Sequence, residues 1–258
     1  MSDALLIIDP QNDFCRPDGA LSVPGADADM ERLAAFVDRK SACLAAIHVS
    51  LDSHQRLDVS HPIWFVDSAG AHPAPFTVVT AADIQTGRWR CAVPGAQART
   101  QRYLEELEAN GRYPHVIWPE HCLVGSPGHN VYGSLAAALA RYEARPTRVH
   151  FHLKGQNPWT EHFSAVQAEV PDPADVATLG NPALVAALMS VDRVYVAGEA
   201  SSHCVANTVR DLVAAGVPAG RLCLLTDACS PVPGFSAYAE TFVRELLERG
   251  MTLATTEQ

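Results

Sequence analysis

The chain has 258 residues, of which 48% are hydrophobic and 19% are charged, as is typical of a folded globular protein. Its formal net charge is −10, and no block of like charge occurs along it. These values argue against nucleic acid and against an anionic membrane as partners, because either would need a basic surface.

Neither a membrane anchor nor a secretion signal is predicted. No stretch approaches the roughly 18 apolar residues of a membrane span, and the start MSDALLIIDP has neither a basic region nor a long apolar run. The seven cysteines include no C-x-x-C pair, and several lie in apolar runs where an unreactive buried thiol is expected. We therefore expect a soluble protein of the cytoplasm, where thiols stay reduced.

Short apolar runs alternate with amphipathic segments along most of the chain. Six runs are too apolar to alternate between a buried and an exposed face, as expected for strands covered on both faces of a parallel sheet. The predicted strands span 4–9, 43–52, 148–154, 193–198, 221–227 and 252–257. The predicted helices span 27–40, 131–143, 182–190, 203–215 and 235–249, and the last two end at Gly216 and Gly250. This alternation predicts an α/β fold with a doubly wound sheet of βαβ units.

The stretch from about 62 to 117 interrupts this alternation. Its first part is rich in proline and glycine, which indicates loops, whereas the segment 98–111 predicts one helix. We interpret the stretch as an insertion within a single domain that spans residues 1–258.

Reactive side chains follow four of the predicted strands. Asp9 ends the first strand, and Lys154 ends the third. Asp52 and His54 follow the second strand, and Cys204 follows the fourth. Each alone has an ordinary explanation, such as a turn residue, a solvated lysine or a buried thiol. Ligands of a doubly wound sheet bind beyond the carboxyl ends of its strands, so these residues together predict a functional site.

Cys204 lies where a strand passes into a helix, and this position suits a nucleophile. The N–H groups of a helix's first turn favour a thiolate over a thiol, and a nearby ammonium group from Lys154 would act in the same direction. Asp9 would take the thiol proton as a base and later return a proton as an acid. The turn from Ala200 to Cys204 would direct its N–H groups at an oxyanion. Nucleophilic catalysis by Cys204 is therefore predicted.

Three stretches resemble the isochorismatase-like cysteine hydrolases. They are LLIIDPQNDFCRPDGALSVPGA, LKGQN and VAGEASSHCVANTVRDL, whose order and spacing match that family over nearly the whole chain outside the insertion. The resemblance implies a six-stranded parallel sheet with helices on both faces, in a homo-oligomer. It also implies a catalytic triad of Asp9, Lys154 and Cys204, and a non-proline cis peptide bond between Glu199 and Ala200.

The nicotinamidase branch of that family adds a metal site, and the chain resembles this branch there. LDSH supplies Asp52 and His54, and WPEHCLVGSPG resembles the stretch that provides a third ligand, His121. One carboxylate and two imidazoles suit a first-row divalent ion with positions left open for water or substrate. We expect zinc, with iron and manganese as alternatives. His61 is a further candidate ligand, and because its spacing matches the branch only loosely, the alternative is a solvated histidine or one that lies behind the ligands.

Phe14, Trp118 and Phe163 match aromatic positions that hold the substrate ring in nicotinamidases, with core packing as the alternative for each. Two features depart from the family. Glu199 stands beside the oxyanion turn, where it would either repel an anionic substrate or hydrogen-bond behind the site. The segment between His61 and Trp118 is longer than in compact bacterial nicotinamidases, and it would form a lid, narrow the pocket or join subunits.

The predicted function is that of a metal-containing cysteine amidohydrolase. It would convert nicotinamide, or a similar small aromatic amide, to the acid and ammonia through a thioester intermediate. The alternative is hydrolysis of a different small amide, ureido or carbamoyl compound by the same triad. A protein that only binds ligands is disfavoured, because no member of the triad is missing.

Overall fold

The computed structural model of the protein describes residues 2–258. It contains eight strands: β1 (Asp3–Ile8), β2 (Leu44–Asp52), β3 (Phe65–Val66), β4 (Arg90–Cys91), β5 (Val149–Lys154), β6 (Arg193–Gly198), β7 (Leu222–Leu225) and β8 (Thr252–Ala254). Six of them form one parallel sheet in the order β5–β2–β1–β6–β7–β8, and β3 pairs with β4 in a separate two-stranded antiparallel sheet. Residues 4–8 of the central strand β1 are buried on both faces, as the apolar runs predicted.

Helices connect the strands and cover the sheet. They are α1 (Asn12–Cys15), α2 (Ala26–Lys40), α3 (Ala81–Gln85), α4 (Gln97–Asn110), α5 (Gly133–Glu143), α6 (Val176–Leu179), α7 (Pro182–Met189), α8 (Cys204–Ala214) and α9 (Ser236–Glu248). The strand order changes direction between β1 and β6, and parallel crossovers are right-handed, so the helices of the two halves cover opposite faces. Accordingly α2 packs on α5, and α8 packs on α9. Within residues 2–258 no helix has the length and apolar character needed to cross a membrane.

The predicted fold class is confirmed, with small differences at the ends of two strands. The runs 221–227 and 252–257 were both predicted two or three residues too long, since β7 ends at Leu225 and β8 at Ala254. The residues beyond them form a turn around Asp227, whose carboxylate accepts hydrogen bonds from the Thr256 N–H at 2.8 Å and hydroxyl at 2.7 Å. Gly216 and Gly250 follow their helices with φ of +101° and +98°, a conformation that favours glycine.

Residues 62–117 build a second apolar core beside the sheet. The sequence predicts only α4 in this stretch, because two-residue strands and the five-residue α3 are too short to show a periodic pattern. The buried members of this second core are Val59, Trp64, Phe65, Val79, Ala81, Ile84, Tyr103, Leu104, Leu107 and Ile117. Arg112 ties the stretch to the main body, since its guanidinium lies 2.6 Å from Oδ1 of Asp211 and 3.9 Å from Oε2 of Glu169.

Candidate active site and metal centre

Lys154 joins the reactive groups at the carboxyl ends of the strands. Its Nζ lies 2.8 Å from Oδ2 of Asp9, 3.0 Å from Oδ1 of Asp52 and 3.7 Å from Sγ of Cys204. All four side chains are buried. They meet where β1 and β6 adjoin, which is the point in a doubly wound sheet where the strand order reverses and ligands bind.

The buried position of the triad controls its protonation. Burial raises the pKa of the Cys204 thiol well above its usual value, and this exceeds the opposing effect of Lys154. The helix start and Lys154 alone would lower that pKa, so desolvation reverses the direction predicted from the sequence. Burial also raises the pKa of Asp9 despite the ammonium group beside it. Asp9 is held in place by Ser50, whose hydroxyl donates to Oδ1 of Asp9 at 2.6 Å.

The turn before Cys204 presents free N–H groups. The peptide bond between Glu199 and Ala200 is cis. Among residues 2–258, no acceptor takes the N–H of Ala200 or of Cys204, whereas the next N–H, from Val205, donates to the Ala200 carbonyl at 3.2 Å. Both free N–H groups are therefore available to an oxyanion. Gly198 allows this turn, because a Cβ there would lie 2.0 Å from the carbonyl oxygen of Ile8.

Glu199 does not border the site. Its side chain is fully buried behind the turn, and its Oε2 accepts a hydrogen bond from the Ser230 N–H at 3.0 Å. Of the two roles considered from the sequence, the geometry matches hydrogen bonding behind the site and not contact with a substrate.

Asp52, His54 and His121 form a compact group beside the triad. One donor atom from each lies within 4.8 Å of the others, and all three side chains are buried. Oδ2 of Asp52 lies 3.0 Å from Nε2 of His54 and 3.4 Å from Nε2 of His121. A carboxylate oxygen and two imidazole nitrogens at these separations can hold a divalent metal ion.

The other ring nitrogens decide which atoms are free to bind a metal. Nδ1 of His54 lies 3.0 Å from the Asp58 carboxylate, and Nδ1 of His121 lies 2.8 Å from the Pro119 carbonyl. Nδ1 of His61 lies 3.1 Å from the Arg56 carbonyl. Because these partners accept, Nδ1 of each ring is the donating nitrogen, and Nε2 is the atom left to bind a metal ion, as in metal sites whose ligands are oriented from behind.

His61 lies beside the metal group. Its ring centroid is 5.2 Å from that of His54 and 5.5 Å from that of His121. Its Nε2 is buried and has no hydrogen-bond partner among residues 2–258. An unpaired buried nitrogen beside two other imidazoles would be stabilised by a cation, so these residues fit a metal ion. His61 remains a candidate ligand, and the alternative of a solvated histidine does not fit its burial.

The backbone around Asp52 is held by residues far away in sequence. The Gln11 side chain donates from Nε2 to the Asp52 carbonyl and accepts from the Asp52 N–H through Oε1, both at 2.7 Å. Gly155 has a φ of +72°, and a Cβ there would lie 2.6 Å from Oδ1 of Asp52. Glycine after Lys154 is therefore what allows the two strand ends to approach.

One cavity is bordered by Cys204 of the triad, by two residues of the metal group and by the predicted aromatic residues. Cys204 and Ala200 border it on the side of the sheet, and Asp52 and His121 border it on the side of the metal group. The other lining residues are Phe14, Leu21, Trp118, Glu161, Phe163, His203 and Val232. The three predicted aromatic residues thus lie at the cavity, where flat side chains can pack on an aromatic ring.

The 62–117 stretch supports this cavity from outside. The Tyr113 ring stacks on His203 with centroids 4.7 Å apart, and its hydroxyl donates to the Ser202 carbonyl at 2.6 Å. The Phe76 ring meets the edge of Trp118 with centroids 6.0 Å apart. No residue from 62 to 117 is among those that border the cavity. The stretch therefore contacts the cavity only indirectly, by packing on His203 and Trp118, which border it.

Comparison with known proteins agrees with this geometry. No protein-family model matches the chain. Nicotinamidase from Escherichia coli strain K12 is 27% identical over 257 residues, which cover 98% of this chain and 94% of that protein. The predicted resemblance to the nicotinamidases is confirmed.

Solved structures of nicotinamidases share the fold from end to end. The Acinetobacter baumanii nicotinamidase/pyrazinamidase has a TM-score of 0.67 at 20% identity, covering 99% of this chain and 97% of that one. Pyrazinamidase of Pyrococcus horikoshii in complex with zinc has a TM-score of 0.60 at 20% identity and covers 99% of each chain. These likenesses confirm the predicted fold.

Several residues around the site were not predicted. Asp58 lies four residues after His54, a spacing that could have suggested a partner for its ring. Gln11 gives no such indication, because it meets Asp52 only through the pairing of β1 with β2. Glu161 borders the cavity without belonging to a motif used in the sequence analysis, whereas His203 lies directly before Cys204 in VAGEASSHCVANTVRDL, where the sequence assigns it no role.

Proposed function

We propose that the chain is a metal-containing cysteine amidohydrolase that converts nicotinamide, or a similar small aromatic amide, to the acid and ammonia. The observation that carries this proposal is that Lys154 connects Asp9, Cys204 and Asp52 at one aromatic-walled cavity. The similarity to the E. coli nicotinamidase supports the choice of nicotinamide.

The first half of the reaction forms a thioester. Sγ of Cys204 bonds to the amide carbon while the thiol proton passes to Asp9. The carbonyl oxygen becomes an oxyanion and accepts hydrogen bonds from the free N–H groups of Ala200 and Cys204. Asp9 then gives its proton to the amide nitrogen, the C–N bond breaks, and ammonia leaves.

The second half of the reaction regenerates the enzyme. Asp9 takes a proton from a water molecule as the water oxygen bonds to the thioester carbon. The C–S bond breaks, the thiol of Cys204 recovers its proton, and the carboxylic acid is released. Lys154 stays charged throughout, since Asp9 and Asp52 outweigh the effect of burial and raise its pKa well above the usual value. Its charge keeps the two carboxylates in one site.

We propose zinc as the metal, with iron or manganese as the alternatives that metal analysis would distinguish. Asp52, His54 and His121 would hold the ion, with His61 as a fourth candidate, and the ion would supply a Lewis-acidic contact for a ring nitrogen. The zinc complex of the P. horikoshii pyrazinamidase supports this choice.

The proposal extends to cellular location and assembly. All seven cysteines are free, as suits the reducing cytoplasm. We expect a small-molecule amide as the partner of the site and a homo-oligomer as the assembly. Light scattering of the purified protein tests the assembly.

The test is ammonia release from nicotinamide by the purified, metal-analysed protein. We expect turnover by the wild type and a loss of about 10⁴-fold or more in Cys204→Ala, because no other group can form the thioester. Cys223→Ala, which changes a buried cysteine of β7 away from the cavity, should keep turnover and serves as the control.

Two results would overturn parts of this proposal. Full activity in Cys204→Ala would remove the nucleophilic mechanism. A wild type that binds metal but leaves nicotinamide intact would remove the substrate, and ureido and carbamoyl compounds would be tested next.

A further inference from the structure

Glu161 is a buried acid that borders the same cavity as Cys204. It lies seven residues after Lys154, in a segment without helix or strand, and its side chain is only 5% exposed. Its backbone is fixed on both sides. The Glu161 N–H donates to the Tyr103 hydroxyl at 3.3 Å, and its carbonyl accepts the Glu169 N–H at 2.8 Å.

Three carboxyl groups lie at or beside the cavity, and Glu161 differs from the other two. Asp9 and Asp52 both contact the ammonium group of Lys154. Oε2 of Glu161 is buried without a hydrogen-bond partner among residues 2–258. A buried acceptor that the protein leaves unpaired is stabilised when a ligand brings a donor to it.

The aromatic wall of the cavity provides no group that could recognise an amide nitrogen. The rings of Phe14, Trp118 and Phe163 have no acceptor for an N–H group. The free N–H groups of Ala200 and Cys204 are donors, and they suit the carbonyl oxygen. A carboxamide carries both kinds of group, one acceptor oxygen and two N–H donors, so the remaining need is an acceptor for its N–H.

We propose that Glu161 accepts a hydrogen bond from the N–H₂ group of the carboxamide and thereby selects the amide substrate over the acid product. This inference rests on the proposed function, since it concerns the same substrate. When the C–N bond breaks, the N–H donors leave as ammonia. The product carboxylate has no N–H donor to offer to Oε2 of Glu161, so this contact is lost once ammonia has left.

The experiment measures ligand binding in the Cys204→Ala background, where chemistry is absent, by isothermal titration calorimetry. Nicotinamide, nicotinate and 3-acetylpyridine are compared, because 3-acetylpyridine keeps the ring and carbonyl but replaces N–H₂ with a methyl group. With Glu161 present, nicotinamide should bind at least about tenfold more tightly than 3-acetylpyridine.

Two substitutions separate the roles of Glu161. Glu161→Leu removes the acceptor, so nicotinamide and 3-acetylpyridine should then bind within about threefold of each other. Glu161→Gln keeps an acceptor oxygen, so nicotinamide should change by less than about threefold and should still bind at least about tenfold more tightly than 3-acetylpyridine. Glu169→Gln is the matched control, because Glu169 is also a buried acid whose Oε2 accepts no hydrogen bond, although Arg112 lies 3.9 Å from it, and because it does not border the cavity.

The role of Glu161 is judged from the ratios of the ligands' dissociation constants in each variant. An unchanged ratio in Glu161→Leu would overturn the proposal, and an equal shift in Glu169→Gln would assign the effect to general structure. If the Glu161 variants fail to fold, the parent protein still tests the idea, since equal binding of nicotinamide and 3-acetylpyridine would overturn it. Wild-type ammonia release is measured separately, so a failure of the proposed function is distinguished from a failure of this inference.

Discussion

The two sides of the cavity are built in different ways. On one side, Asp9, Lys154 and Cys204 stand at the ends of sheet strands and at the start of a helix. On the other side, Trp118 and His121 come from a segment without regular structure. That segment is held by single backbone contacts, such as the hydrogen bond from the Trp118 N–H to the Ser60 carbonyl at 2.8 Å.

The sheet side therefore holds the groups proposed to react, whereas the loop side holds Trp118 and His121, which are proposed to bind the substrate ring and the metal ion. The strand register fixes the reacting groups, since Asp52 is paired with Lys154 directly across β2 and β5. The loop side rests instead on the second apolar core between residues 59 and 117. We therefore expect changes on the loop side to alter metal and ligand binding while leaving the nucleophile and its oxyanion turn in place.

The largest expected effect is the loss of a metal ligand from the loop side. His121→Ala removes one of three converging donors, so zinc affinity should fall by at least about 10³-fold, or about 4 kcal/mol. Competition with a chromogenic chelator measures it. His150→Ala, which changes an exposed histidine of β5, should leave the affinity unchanged. Equal affinity in His121→Ala and wild type would show that His121 is not a ligand.

The next effect concerns the second core itself. Leu104 of α4 is fully buried there, so Leu104→Ala should lower the free energy of unfolding by about 3–5 kcal/mol in urea titrations. Leu247→Ala is the control, since Leu247 is 43% exposed on α9 and should change stability by less than about 1 kcal/mol. Below the unfolding transition, ammonia release should stay within about threefold of wild type, because Leu104 does not border the cavity. A larger loss of turnover in the folded variant would contradict the separation of the two sides.

The smallest effect is the pH dependence of the unfolding free energy, which arises where the 62–117 stretch meets the main body. Glu169 accepts a hydrogen bond from Nδ2 of Asn207 at 2.9 Å. The guanidinium of Arg112 contacts the carboxylates of both Glu169 and Asp211. Burial raises the pKa of Glu169 from 4.5 to about 7, against the opposing effect of Arg112. The folded protein therefore holds this proton more tightly than the unfolded chain does. The resulting stability is present below pH 4.5 and is lost as the pH rises through about 7.

Glu169→Gln tests this pH dependence because glutamine does not ionise. Between pH 5 and pH 8 the wild type should lose about 2 kcal/mol of unfolding free energy that the variant retains. Urea titrations at four pH values measure the difference between the two proteins, which cancels the contributions of other groups. Parallel pH profiles would show that Glu169 titrates in the folded protein as it does in the unfolded chain.

Local patterns predicted the scaffold and the reactive groups. Apolar runs predicted all six strands of the sheet, because strands buried on both faces must be apolar throughout. The same reasoning placed Asp9, Lys154 and Cys204 at or just after strand ends, and in the structure Asp9 and Cys204 both contact Lys154. The small sheet of β3 and β4 and the short helices could not be predicted, since elements of two to five residues carry no period.

By itself the sequence determined which residue types stand at the ends of the strands, and through them the fold class and the predicted chemistry. Only the tertiary structure decided how those groups behave. Burial raises the pKa of Cys204, whereas the helix start alone predicted the opposite. Gln11 holds Asp52 across 41 positions of sequence, and Tyr113 holds the turn before Cys204 across 89. Desolvation and such distant hydrogen bonds depend on which segments pack together, and no local pattern contains that information.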